Sequence, residues 1–233
     1  MKKLFSTLGM MALVSLCLFT SCKDEDVTAT PVVPPVVEAT VDNTALQIAE
    51  ATVTTTANAQ AAESAKAAVE ASGATVSDVQ TTGGVTTTTY SDGTTVTEDT
   101  ENNKVTTTNP DGTSTEVIVE ASYTYTVDGV EYSSMEEVLA ALAKKPAGTV
   151  ATVVATLVQT TTTIKRGADG QELSKDTKDD TKAATTNVVI PEVGKTQKTN
   201  VALPTSVTTG TQQNVEVTVK TTQAGQHSGG AGK

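Results

Sequence analysis

Aromatic residues make up only 3% of this 233-residue chain: four Tyr, two Phe and no Trp. Leu, Ile and Phe are scarce beyond the first twenty residues, so Val and Ala supply most of the apolar mass. Small side chains remove little area from water, which limits such a chain to a modest core. Histidine occurs once, at His227, in a Gly-rich terminal stretch. A Ser-His or Cys-His pair held in a rigid pocket has no material to be built from there. The two cysteines, Cys17 and Cys22, are too few for a disulfide framework or a cysteine-ligated zinc site. No phosphate-binding glycine motif occurs, no run has the alternating acids of an EF-hand, and no cofactor is implied. Positive charge is also short: 16 Lys and Arg against 27 Asp and Glu give a formal −11. Phosphates would be repelled, so nucleic acid and anionic lipid are not expected as partners held by charge.

What remains is unevenly distributed. Lys2 and Lys3 precede an apolar stretch from Leu4 to Phe19 that is short for a membrane span and has the flanks of a secretory signal. Phe19, Thr20 and Ser21 then lead into Cys22, with small residues at the last two positions. This resembles the lipobox of bacterial lipoproteins, with Phe19 where the family usually has Leu. The resemblance implies a signal peptide over residues 1–21 and palmitate-type acylation of Cys22. At about 0.8 kcal/mol per buried methylene, two or three acyl chains would hold the protein on a membrane. The plainer readings are a secreted protein cut near Ser21 and an uncleaved membrane anchor. The next residues, Lys23, Asp24, Glu25 and Asp26, resemble the charged tether that directs some Gram-negative lipoproteins to the cell surface. A solvated spacer is the alternative.

Residues 22–43 read as an acidic and Pro/Val-rich stalk. Proline fixes φ and disfavours helix in the residue before it, so the part from Val27 to Asn43 extends on the order of 50 Å. Residues 44–73 read as an Ala-rich helical segment. Leu46, Ala49, Val53, Ala57, Ala61, Ala65 and Ala68 recur at spacings of three and four, and Gly73 ends the pattern. The run from Val53 to Thr56 lowers helix propensity, which predicts a kink or two shorter helices.

Thr is about a fifth of the chain, and it dominates residues 85–175. Asp-Gly pairs at 92–93, 111–112, 128–129 and 169–170 mark turns between VTTTTY, TTVT, KVTTT and a long strand from Thr113 to Val127. The last of these strands carries Val117, Val119, Tyr123, Tyr125 and Val127 at one parity. A two-residue type I′ turn at Asp128-Gly129 sets Val127 opposite Val130 and Tyr125 opposite Tyr132. A helix over 134–145 follows, capped by Ser133-Ser134 with Glu136 or Glu137, and Met135, Val138, Leu139 and Leu142 form its apolar stripe. The strand from Thr149 to Ile164 has apolar residues at both parities, as a covered central strand does. Residues 176–222 read as a charged linker, Lys175 to Lys182, followed by edge strands near Val188 and Val215. Residues 223–233 read as a disordered tail. The expected fold class is therefore α+β: a Thr-rich antiparallel β-meander with one amphipathic helix packed on the sheet, preceded by an Ala-rich helical segment.

Candidate chemistry is thin. Glu116, Glu120 and Glu131 are acid–base candidates by residue type, with solvated strand positions as the bland account. Tyr90, Tyr123, Tyr125 and Tyr132 suit either sugar stacking or core packing, and three of the four share parity with buried-type Val residues, which favours the core. The Thr runs are contiguous and point to both faces in turn, which argues against a regular Thr binding face. No metal or catalytic residue is assigned. The chain is expected to be a non-enzymatic, lipid-anchored envelope protein on the outer-membrane surface, contacting a protein or glycan partner. A periplasm-facing accessory lipoprotein and a carboxylate-dependent hydrolase are the alternatives.

Overall fold

The computed structural model describes residues 33–224. The leader, Cys22, the Lys23-to-Asp26 run and the tail with His227 lie outside the described residues. The elements begin with β1 (Val36–Val41), α1 (Asn43–Ala71), β2 (Val76–Thr82), β3 (Val85–Tyr90), β4 (Thr95–Asp99) and β5 (Lys104–Thr108). They continue with β6 (Ser114–Val127), β7 (Val130–Tyr132), α2 (Met135–Leu142), β8 (Val150–Arg166), β9 (Glu172–Val189), β10 (Lys195–Pro204) and β11 (Gln212–Thr222). Strands take 53% of the described residues and helices 19%. A long sheet runs β2-β3-β4-β5-β6-β8-β9, with β7 paired to the end of β6, and a three-stranded sheet runs β1-β11-β10. Every strand pair is antiparallel.

This corrects the α+β expectation: the protein is mostly antiparallel β, with two helices. The error lies in residues 172–222, which form three strands. The charged run from Lys175 to Lys182 falls inside the 18-residue β9, paired to β8 along its length. Charges are tolerated there because β9 is the edge of the long sheet, and they discourage a second chain from pairing with it. Val215 to Val219 lies in the central strand of the small sheet, not at an edge. Val36 to Val41, expected in the stalk, pairs with β11 instead.

Local chemistry explains the turns. Asp128 and Gly129 have φ of 50° and 83°, the two left-handed residues a type I′ turn needs, and Val127 pairs Val130 while Tyr125 pairs Tyr132. The other Asp-Gly pairs make three-residue loops. In the first, Gly93 N–H donates to the Tyr90 carbonyl (3.0 Å) and Asp92 Oδ1 accepts from Thr94 N–H (2.9 Å). The Asp side chain thus replaces a backbone partner within its own turn.

Helix α1 is one continuous 29-residue helix, without the break expected at Val53 to Thr56. Tertiary packing outweighs propensity here: Val53 is 1% exposed, and Thr55 returns its hydroxyl to the Ala51 carbonyl at 3.0 Å. Asp42 caps the start by accepting from Thr44 and Ala45 N–H, and Gly73, at φ 96°, ends it. The buried stripe follows the expected Ala49, Val53 and Ala57, then moves to Asn58, Ala62 and Val69. A stripe at spacings of four drifts around a helix of 3.6 residues per turn, and the contact face has to follow the sheet. Ala61, Ala65 and Ala68 are left at the flank.

The larger core lies between one face of the long sheet, α2, the first half of α1 and the small sheet. Tyr125 and Ala155, adjacent across β6 and β8, pack with Val138 and Leu142 of α2 and with Leu203 and Val217 of the small sheet. A second cluster joins Ala62 and Val69 of α1 to Tyr90, Val96 and Val105 of the meander. The Thr-rich strands, too poor in apolar mass to stand alone, are stabilised by this helix. The opposite face of the long sheet is solvated: Glu120, Ser122 and Thr124 lie on it, and Val150 is 58% exposed. Alternate threonines fall into ranks there, such as Thr87, Thr97 and Thr106 on adjacent strands.

The tyrosines set an alkaline limit on stability. Burial raises the Tyr123 and Tyr125 hydroxyls above their ordinary pKa, with a smaller push from Glu50. The fold therefore holds them neutral. Their contribution is full below the unfolded value of about 10 and is lost as pH rises beyond it. We expect a melting temperature that is flat from pH 7 to 9 and falls by pH 11. Tyr125→Phe should soften that fall and leave the neutral-pH value unchanged or higher, because the Tyr125 hydroxyl has no partner. Parallel decline of parent and variant would refute the assignment.

Candidate functional site

The structure separates the carboxylates that the sequence offered as acid–base candidates. Glu116 is tied to Arg166 (3.0 and 3.1 Å) and approached by Lys104 (3.9 Å), while Glu120 is exposed on the same solvated face. Glu131 lines a depression beside β7 with Tyr132 and Glu137. The Ser133 N–H and hydroxyl both donate to Glu137 and hold its carboxyl below the usual range. A general acid needs the opposite shift. Three of the four tyrosines, Tyr90, Tyr123 and Tyr125, are in the core. Tyr123 donates its hydroxyl to the Pro204 carbonyl at 2.6 Å. Asp128 holds its turn by accepting from Lys145 and from Thr152 N–H (2.7 Å), and the lysine contact lowers its pKa most. Among the described residues, no group of three or more His, Cys, Asp and Glu is placed to hold a metal ion. No described helix is long and apolar enough to cross a membrane.

A groove of about 670 Å³ lies between the second half of α1 and the core-side face of the long sheet. One wall is the flank of α1, where Ala57, Ala61, Ala65 and Ala68 present only methyl groups. The drift of the buried stripe creates this wall, since it turns Ala61, Ala65 and Ala68 partly away from the sheet. Val117 and Val119 of β6 form the apolar part of the floor, with Thr107, Thr115, Gln159 and Thr161 around them. These floor positions follow from register: Thr107 pairs Thr115, Val119 pairs Thr161, and Gln159 pairs Ala121. They lie on the face that carries the core further along the strands.

The two ends of the groove are built differently. At one, Gln60 Nε2 donates to Ser206 Oγ (3.0 Å), and the same oxygen accepts from Thr208 N–H (3.1 Å), which fixes the β10–β11 loop over the opening. At the other stand Ser72, Asp92 and Asn109, the last two in the Asp-Gly loops of the meander. Asp92 is the one ionisable residue among the eighteen that line the groove. Gln159 donates from Nε2 to Thr161 Oγ1 at 3.4 Å, and its Oε1 is buried without a partner. Asn58, next to Ala57 on the helix, is 1% exposed and neither amide atom finds a partner. Orphaned polar atoms of this kind cost about 1–3 kcal/mol each.

No groove residue is marked by the sequence alone as part of a site. A signal existed for Gln159, which continues the parity of Ala151, Val153, Ala155 and Leu157 and so had to be a polar residue on the core face. The alanine wall had none, because Ala61 and Ala65 read equally well as buried stripe. Compared with known proteins, the chain matches no family model, no curated protein and no solved structure.

Proposed function

We propose that the chain is a non-enzymatic, lipid-anchored envelope protein, displayed on the outer-membrane surface, that binds a partner in the groove beside α1. The leader, the small residues before Cys22 and the acidic run after it support the anchor and its export. The groove carries the binding reading: it has room for a ligand, yet the carboxylate of Asp92 is the one ionisable group in its lining, which holds no His, Lys or Cys. Catalysis by proton transfer needs a pair of positioned titratable groups, whereas recognition needs shape and hydrogen bonds. β1 lies on the small sheet, and the groove lies along the second half of α1.

Two measurements test this. Cys22→Ala should move the protein from the membrane fraction to the soluble fraction; a variant that stays with the membrane contradicts the lipid anchor. Protease added to intact cells should degrade the parent protein. Protection until the outer membrane is opened would overturn surface display in favour of a periplasm-facing role.

A further inference from the structure

We propose that the groove beside α1 takes an uncharged, linear, polyhydroxylated ligand: a short run of neutral sugar units. The inference rests on the reading of the groove as a binding site and names what that site recognises. From Ala57 to Ser72 the helix wall is roughly 22 Å long at 1.5 Å rise per residue, so the site is a trough suited to an extended molecule.

The lining selects the chemistry. With no Lys, Arg or His in the groove, an anionic ligand would lose its water without gaining a counter-charge. A plain hydrocarbon chain fits poorly as well, since it would cover Thr107, Thr115, Thr161 and the two glutamines without offering them hydrogen bonds. An extended peptide usually adds to a sheet edge, where free N–H and C=O groups meet it. This floor is a sheet face, whose backbone groups are already paired in the β5–β6 and β6–β8 ladders.

The groups that do line the trough, Thr and Ser hydroxyls and Gln and Asn amides, both donate and accept. Hydroxyls of a neutral sugar do the same, so donors and acceptors match in either direction along the chain. The methyls of Ala61 and Ala65 and the side chain of Val117 offer flat apolar contact for the C–H faces of the rings. The buried Gln159 Oε1 then gains the donor it lacks. Stacking on tyrosine plays no part, because Tyr90, Tyr123 and Tyr125 are inside the core.

The test uses the purified full chain and saturation-transfer difference NMR, followed by titration. Maltohexaose, cellohexaose and laminarihexaose serve as neutral probes, an oligogalacturonate as the anionic probe and N-phenyl-1-naphthylamine as the apolar one. At least one neutral hexasaccharide should bind, and its affinity should fall tenfold or more in Gln159→Leu and in Ala65→Leu, which fills the trough. Thr160→Val, one residue along β8 but on the opposite face, should bind as the parent does. Melting temperatures of the variants verify that they fold. The proposal is overturned if no neutral probe binds, if Ala65→Leu binds as well as the parent, or if the anionic or apolar probe is preferred in a groove-dependent way. Surface display stands or falls separately, on the protease measurement.

Discussion

Leu142→Ala lowers the stability of the fold by about 2–5 kcal/mol, the range for deleting a large aliphatic side chain from a packed core. Leu142 is 0% exposed and belongs to the cluster that also holds Val138, Tyr125, Leu203 and Val217. It therefore ties α2 into the core shared by both sheets. Leu139, on the same helix, is only partly buried at the margin of that cluster, and its replacement by Ala should cost distinctly less. Urea unfolding of the two variants beside the parent checks the order. Equal losses, or a Leu142→Ala loss below about 1 kcal/mol, would mean that α2 is not part of the main core.

The contrast between these two leucines shows how far the sequence could be read. The stripe Met135, Val138, Leu139 and Leu142 was legible, and so were the cap and the hairpin before it, because local turn chemistry and the apolar period agreed. Ser134 accepts from Glu137 N–H as the cap expected there, and Tyr125 faces Tyr132. Legibility failed where burial is one-sided or absent. The half of β9 from Glu172 to Lys182 buries no side chain, so it has no alternation to detect, and its charges resemble those of a linker. Its strand character is imposed by the long partner β8, which offers a backbone ladder down to Arg166. The same reason hid β10, whose first residues are exposed and whose apolar run appears only at Val201 to Leu203.

The candidate site was less legible than the fold. Its wall depends on where a 29-residue helix stops following its own alanine stripe, and that is decided by tertiary packing, not by the helix's own sequence. Alanine suits either outcome, being small enough to be buried and apolar enough to line a groove. On β8 the change shows first at Gln159, where the core-parity run Ala151, Val153, Ala155 and Leu157 gives way to polar side chains. The proposed lipid anchor is the reverse case: it is read from a few residues of sequence around Cys22 and rests on nothing in the folded part.

Val217→Glu should unfold the protein or leave it marginal at room temperature. Val217 is 0% exposed in the middle of β11, paired to Val41 on one side and Thr199 on the other, so no rotamer carries a carboxylate to water. Burying it charged costs several kcal/mol, and holding it protonated at neutral pH costs a comparable amount through the shifted pKa. A domain with roughly 5–15 kcal/mol in total cannot absorb that loss easily. Val189→Glu is the control: Val189 is 40% exposed near the end of β9, and the change should stay within about 0.5 kcal/mol. Circular dichroism of both variants, with chemical unfolding of whichever is folded, reads the difference. The pair separates burial from strand membership: both substitutions put a carboxylate in a strand, but only the one at Val217 puts it on a fully buried face. As the central strand that joins β1 to β10, this segment holds the first and last parts of the fold together, and only Val217→Glu should undo it.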